Sequence, residues 1–186
     1  PSVTSGYYRM DEENQKAFTN GWFRTGDLGK IDAEGHLIIT GRRKNLFKTS
    51  GGKYVAPEKL ENLFQGHPFI SQIMIIGDGR KFISALIVPN FPALETWANS
   101  KGIKLETRND LVSHTEVISF IAQKVEEVTS ALSPFEKIRQ FALLSREFTV
   151  KSGELSPTQK IKRQTVEKNH KSLIEELYVR PQSHSS

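Results

Sequence analysis

Two short apolar runs separated by a turn constrain this chain more than any other feature. Ile70–Ile76 and Phe82–Val88 are rich in β-branched and aromatic residues, and Gly77-Asp78-Gly79-Arg80 between them supplies what a tight reversal needs. Runs of this length are strand-sized, well short of the ~20 apolar residues of a membrane-spanning helix. With 186 residues the chain has room for one domain, or one domain plus part of another, and for a core that needs no staples.

Helical patterns surround this hairpin. Pro57 suits a first helical position, with Leu60, Leu63 and Phe64 on one face before Gly66. Phe91–Gly102 reads as a short helix. Ser113-His114-Thr115-Glu116 has the form of a capping box, and Ile118, Ile121, Val125, Val128 and Leu132 then recur at helical spacing up to Pro134. Ile138–Leu144 reads as a strand and Gln164–Tyr178 as one helix. Nearer the N-terminus, Leu28–Asp32 and His36–Thr40 flank a turn and predict a hairpin, and Thr49–Val55 predicts a second with Gly51-Gly52 at its tip.

The expected fold class is α+β, with β-hairpins and a small sheet packed with helices. The expected division is a β-rich remnant of a larger domain over residues 1–41, a domain over 42–180, and a disordered tail over 181–186. The remnant cannot bury both faces of its strands alone. The charged break Gly41-Arg42-Arg43-Lys44-Asn45 marks the expected boundary. The chain starts at Pro1 without Met and shows no secretory signal, so the expectation is a piece of a longer, cytoplasmic protein.

Composition removes several chemistries. There is no cysteine, which excludes thiolate metal sites and cysteine nucleophiles. The five histidines lack metal-ligand spacing, so no metal site is expected. Twenty-six Lys and Arg against 21 Asp and Glu leave a net charge of +5, which suits phosphate-bearing ligands, nucleic acid or an anionic membrane without choosing among them.

Three segments carry more polar detail than packing needs. In Gly21-Trp22-Phe23-Arg24-Thr25-Gly26-Asp27, the carboxylate could accept two hydrogen bonds from a vicinal diol such as a ribose; on composition alone, a turn Asp capping its own backbone is the stronger reading. Gly41–Pro57 combines a basic cluster with a small-residue loop. It is not a Walker A loop, because Phe47 stands where that motif has Gly and Tyr54 follows Lys53. In Gly153–Arg163, Lys160 after Pro157 could point into a site and neutralise a phosphate or carboxylate. The same residues could equally start a helix, with Ser156 as N-cap and Pro157 at N1.

Taken in order, these segments resemble the C-terminal part of the adenylate-forming enzymes, the superfamily of acyl-CoA synthetases, luciferases and peptide-synthetase adenylation domains. Trp22–Asp27 resembles the family's W-x-x-T-G-D motif, Gly41–Glu58 its hinge-and-hairpin motif, and Pro157–Arg163 its C-terminal lysine motif. Phe47–Pro57, Phe135-Glu136-Lys137-Ile138 and the stretch from Phe148 to Thr158 are typical of long-chain fatty acyl-CoA synthetases. One departure is Gln159, where much of the superfamily has Gly.

The resemblance implies a two-step reaction. A fatty acid carboxylate attacks the α-phosphate of ATP to give acyl-AMP and pyrophosphate, and the CoA thiol then gives acyl-CoA and AMP. It implies that Asp27 binds the ribose hydroxyls, Arg42 contacts the nucleotide, Lys44 is the hinge, and Gly51 and Gly52 line the CoA channel. Lys160 would bridge carboxylate and phosphate in the first step, with Lys162 the alternative register. The Mg²⁺ site and acyl tunnel would lie mostly in a missing N-terminal adenylation domain, leaving this chain alone inactive. Partners implied are fatty acid, ATP and CoA, without nucleic acid and with possible peripheral membrane contact. The alternatives are another adenylate-forming enzyme, a basic RNA- or polyanion-binding module resting on Arg42–Lys44 and Lys160–Arg163, and a non-catalytic domain derived from the family.

Overall fold

The computed structural model describes residues 4–42 and 45–179, and for Thr40, Gly41 and Arg42 it describes the backbone alone. Lys44 and the residues expected to form a disordered tail therefore lie outside the described residues. The chain divides into two compact units between Leu46 and Phe47.

The first unit opens with α1 (Asp11–Ala17), whose first turn holds Asp11, Glu12 and Glu13, where negative charge complements the helix dipole. β1 (Phe18–Thr19) and β2 (Trp22–Phe23) pair antiparallel across Asn20-Gly21, both at positive φ, as a two-residue hairpin turn requires. β3 (Asp27–Ile31) and β4 (Leu37–Arg42) form the expected hairpin, with a bulge at Leu28/Gly29. Its turn is closed by Asp32, whose Oδ1 accepts from the amides of Glu34 and His36 at 3.1 and 2.8 Å. No described residue of this unit is buried, and Leu37 and Ile39 are 69% and 59% exposed. Strands with apolar side chains open to water on this scale are short of a core of their own.

In the second unit, β5 (Phe47–Lys48) and β6 (Tyr54–Val55) form the expected small hairpin, followed by α2 (Pro57–Asn62) with Pro57 in its first turn. The centre is a three-stranded sheet. β7 (Ile70–Ile76) pairs antiparallel with β8 (Ile83–Pro89), and β8 pairs parallel with β9 (Ile138–Leu143). Every residue of β8 is buried, as a central strand covered on both faces demands. The parallel connection from β8 to β9 runs through α3 (Phe91–Ser100), α4 (Arg108–Ser113) and α5 (Thr115–Thr129). The chain then turns through the Lys160 segment into α6 (Arg163–Asn169) and α7 (Lys171–Val179). α2 packs on β7, and α5 and α7 on β9. One contiguous core joins Met74, Leu86, Ile87, Phe91, Ile121, Phe148, Val166 and Ile174.

Four local expectations are corrected. The capping box belongs to Thr107 and Asp110 at the start of α4, a helix the periodicity did not reveal. Ser113 ends that helix, its hydroxyl donating to the Asn109 carbonyl at 2.8 Å. On α5 the buried face is Val117, Ile121, Val125 and Thr129, and Ile118 is exposed. Leu63 is likewise exposed, because α2 ends before it. The single helix expected over Gln164–Tyr178 is two, broken at His170.

Candidate functional site

The Lys160 segment is a closed turn instead of a helix start. Leu155 and Ile161 form an antiparallel bridge, and the Ser156 amide donates to the Lys160 carbonyl at 2.8 Å. Gln159 donates its amide to the Ser156 carbonyl at 2.9 Å, and the Lys160 amide donates to Ser156 Oγ at 3.0 Å. Gln159 sits at φ +61°, the left-handed region that glycine reaches without strain. A glycine would take this position without strain, and Gln159 keeps the turn at some cost. Lys160 is exposed on the turn, while Lys162 caps α6 and ties the turn's base by donating its amide to the Glu154 carbonyl at 2.8 Å.

Beneath that turn lies a buried carboxylate. Glu154 is fully buried and accepts from Arg146 Nη1 and Nη2 at 2.6 and 2.8 Å, Ser152 Oγ at 2.7 Å and Asn169 Nδ2 at 3.1 Å; His170 Nε2 stands 3.1 Å away. The Arg146 guanidinium, with Asn169 and Ser152, holds the carboxyl down at about 2, against the opposing effect of burial. On the other leg, Arg163 donates to the Ile75 carbonyl at 2.7 Å and pairs with Glu61, whose carboxylate accepts from the Ile75 amide at 2.8 Å.

The Gly51-Gly52 hairpin is stitched to the β7–β8 turn. Lys48 donates its amide to Asp78 Oδ1 at 3.2 Å, Gly79 donates to the Lys48 carbonyl at 2.9 Å, and Ser50 donates to the Arg80 carbonyl at 2.9 Å. Gly52 has φ +79° and so suits the reversal. Gly51 has no such requirement, and the nearest atom to a Cβ built there is Thr49 Oγ1 at 4.0 Å. Nothing within this unit demands a glycine at that position.

Thr49, at the base of the hairpin, also lines a cleft of about 600 Å³ with Lys81, Phe82, Pro134, Phe135, Lys137 and Arg139. Three cations, of which Lys137 also pairs with Glu126 at 2.6 Å, and two aromatic rings suit an anion that carries a flat ring. In the sequence, Phe135–Ile138 stands out by its resemblance alone, and the cleft does not. The signal available was alternation: Phe135, Lys137 and Arg139 lie two residues apart running into an edge strand, which gives them one face.

In the first unit, Asp27 and Arg42 are direct partners across β3 and β4, so two residues expected at the nucleotide lie side by side at one end of a hairpin. The Asp27 amide donates to Thr25 Oγ1 at 3.0 Å, a short turn that places the carboxylate right after Gly26. Asp32, Glu34 and His36 bring their ligand-type atoms within 4.8 Å of one another, in a turn where the Asp32 carboxylate already accepts two backbone amides and lies 3.3 Å from His36 Nδ1.

With this geometry in place, comparison with known proteins is direct. Residues 45–182 match the AMP-binding enzyme C-terminal domain, and the chain belongs to that family. A long-chain-fatty-acid–CoA ligase of Mycobacterium tuberculosis is 44% identical over 178 residues, covering 95% of this chain and 30% of the ligase. The adenylation domain of a carboxylate reductase from Mycobacterium chelonae superposes with a TM-score of 0.73 at 30% identity, covering 95% of this chain and 26% of that one. The adenylation and carrier didomain of a carboxylic acid reductase from Segniliparus rugosus, in complex with AMP, gives a TM-score of 0.66 at 29% identity, over 94% of this chain and 23% of that one. The chain thus spans under a third of the length of these relatives. No described helix is long and apolar enough to cross a membrane.

Proposed function

We propose that this chain is the C-terminal part of an AMP-forming long-chain fatty acid–CoA ligase, with residues from about Arg42 onward acting as the mobile lid. The observation that carries the reading is the Lys160 turn. It is a closed, hydrogen-bonded loop that presents a cation, anchored on a buried carboxylate and not begun as a helix. Two anions must meet in the adenylation step, the acyl carboxylate and the ATP α-phosphate. A fixed cation where their charge converges lowers that barrier.

Asp27 and Arg42, paired at one end of their hairpin, are assigned to the ribose and the nucleotide. The exposed apolar residues of β3 and β4 are those the rest of an adenylation domain would cover. A hinge near Lys44 would let the lid exchange the Lys160 turn for the Gly51-Gly52 hairpin between half-reactions. The cationic cleft beside that hairpin is assigned to the phosphates and adenine of CoA, with Gly51 and Gly52 leaving room for the pantetheine arm. Asp32, Glu34 and His36 do not suit the Mg²⁺ such a reaction uses, because the Asp32 carboxylate is engaged in its turn. The reading places the enzyme in the cytoplasm, meeting membranes where its lipid substrate is delivered.

The test is Lys160→Ala in the full-length enzyme, with the half-reactions assayed separately. Fatty-acid-dependent ATP–pyrophosphate exchange is expected to collapse while thioester formation from supplied acyl-adenylate survives. If both half-reactions persist, Lys162 becomes the candidate; if the unmodified enzyme shows no fatty-acid-dependent exchange, the ligase reading fails.

A further inference from the structure

Hydrogen bonds within the Lys160 turn fix its shape, but not where the turn as a whole stands. At the base of its first leg lies Glu154. Among the described residues it is the one charged side chain in the buried set, the others being Thr49, Ser84 and Thr129. A carboxylate taken out of water costs several kcal/mol unless donors replace its hydration, roughly the scale at which apolar substitutes would serve the core as well. Here the donors come from separate places in the chain: Arg146 after β9, Ser152 in the following loop, and Asn169 with His170 at the end of α6.

The main chain of the same residue completes the arrangement. The Glu154 amide donates to the Thr149 carbonyl at 3.1 Å, and its carbonyl receives the Lys162 amide at 2.8 Å. The residue after Glu154 and the one before Lys162 then form the bridge that closes the turn. One side chain is therefore tied to three segments, while its backbone joins both legs of the turn that carries Lys160. The second leg is held independently, through Arg163 on Ile75 and Glu61. A polar cluster in which every oxygen is satisfied fixes geometry more sharply than apolar packing does.

We infer that Glu154 is a positioning residue for adenylation, holding the base of the turn so that the Lys160 ammonium is presented in one place. The inference rests on the proposed role of Lys160. Glu154 is buried and acts only through that lysine.

The test compares Glu154→Gln, Lys160→Ala and the double variant in the full-length enzyme, in both half-reactions. Glu154→Gln keeps the shape but removes the charge that holds Arg146. It is expected to slow ATP–pyrophosphate exchange about 10–100-fold, the scale of a catalytic group displaced by an ångström. Thioester formation should stay within about twofold, because it does not depend on where Lys160 points. In the double variant the substitution should add nothing to the loss from Lys160→Ala.

Equal losses in both half-reactions, additive losses in the double variant, or unchanged exchange each overturn the inference. Where Glu154→Gln does not fold, Ser152→Ala removes one donor and leaves the Arg146 pair in place. It should give a smaller loss, again confined to exchange, and a loss in both half-reactions or in neither overturns the inference. Lys160→Ala alone separates the two failures. If it spares exchange, the role of Lys160 falls and this inference with it; if it abolishes exchange while Glu154→Gln does not, positioning alone falls.

Discussion

Phe47 lays its ring against the backbone of Gly77, in the space a side chain there would need. A Cβ built at Gly77 would stand 2.6 Å from Phe47 Cε2 and 2.7 Å from Ile83 Cδ1. The first strand after the division between the two units is thus seated on the β7–β8 turn because that turn has no side chain at this point. Gly77→Ala should destabilise the chain by about 1–3 kcal/mol, the usual cost of forcing a methyl into a packed contact. Urea unfolding is the measurement, with a lower midpoint at unchanged slope expected. Phe47→Leu in the same background should recover part of the loss by giving way to the new methyl.

Gly51 makes the opposite case. Its φ is not left-handed and a methyl there would meet nothing closer than 4.0 Å. Gly51→Ala should therefore leave stability within about 0.5 kcal/mol, or raise it slightly by restricting the unfolded chain. If the hairpin lines the CoA channel, the same substitution slows thioester formation while sparing ATP–pyrophosphate exchange. A variant unchanged in both half-reactions would remove Gly51 from the channel.

These glycines show what the sequence does and does not disclose. Hairpins are local, so Ile70–Ile76 with Phe82–Val88 and Leu28–Asp32 with His36–Thr40 were legible from patterning and turn residues. Asn20-Gly21 is as strong a hairpin signal as any, but two-residue strands leave no periodicity around it to mark them. The capping-box letters at Ser113–Glu116 misled because a box needs a helix after it and none ending on it. Here Ser113 closes α4. The break at His170 is invisible to periodicity, since Val166 and Ile174 are buried on either side of it. It falls where the imidazole meets Glu154, a contact distant in sequence. For the site, motif spacing pointed to Lys160 and Asp27, but the Glu154 cluster gathers residues from 146 to 170 and no local pattern announces it.

The cleft beside the hairpin makes a charge prediction. Arg139 lines it with Lys81 and Lys137, and Lys137 is partly engaged by Glu126 at 2.6 Å, so Arg139 is the more informative position. Arg139→Ala should raise the KM for CoA about 10-fold, the scale of one lost charge-assisted contact. Exchange of pyrophosphate, which needs no CoA, should be unaffected. Added salt should weaken CoA binding by the unmodified enzyme more than by the variant, since the variant has one fewer cation to screen. An unchanged KM would place CoA elsewhere.

The Glu154 carboxyl predicts an acid limb of stability. Its pKa is held down at about 2 against an ordinary 4.5, chiefly by Arg146, with Asn169 and Ser152 assisting. Because the folded value is the lower one, its stabilisation is complete above about pH 4.5 and is lost as pH falls toward 2. Arg146 is half exposed, which screens the pair, so the contribution is on the order of 2–3 kcal/mol. Glu127 beside Lys124 and Glu175 beside Arg80 are also held below the ordinary carboxylate range. Both lie at the surface and remain in the Glu154→Gln variant, so their contributions cancel when the two unfolding curves are subtracted. The difference between the unmodified chain and the variant should shrink steadily as pH falls below about 4.5. A difference that holds its size down to pH 3 would mean that the buried carboxylate is not the group titrating.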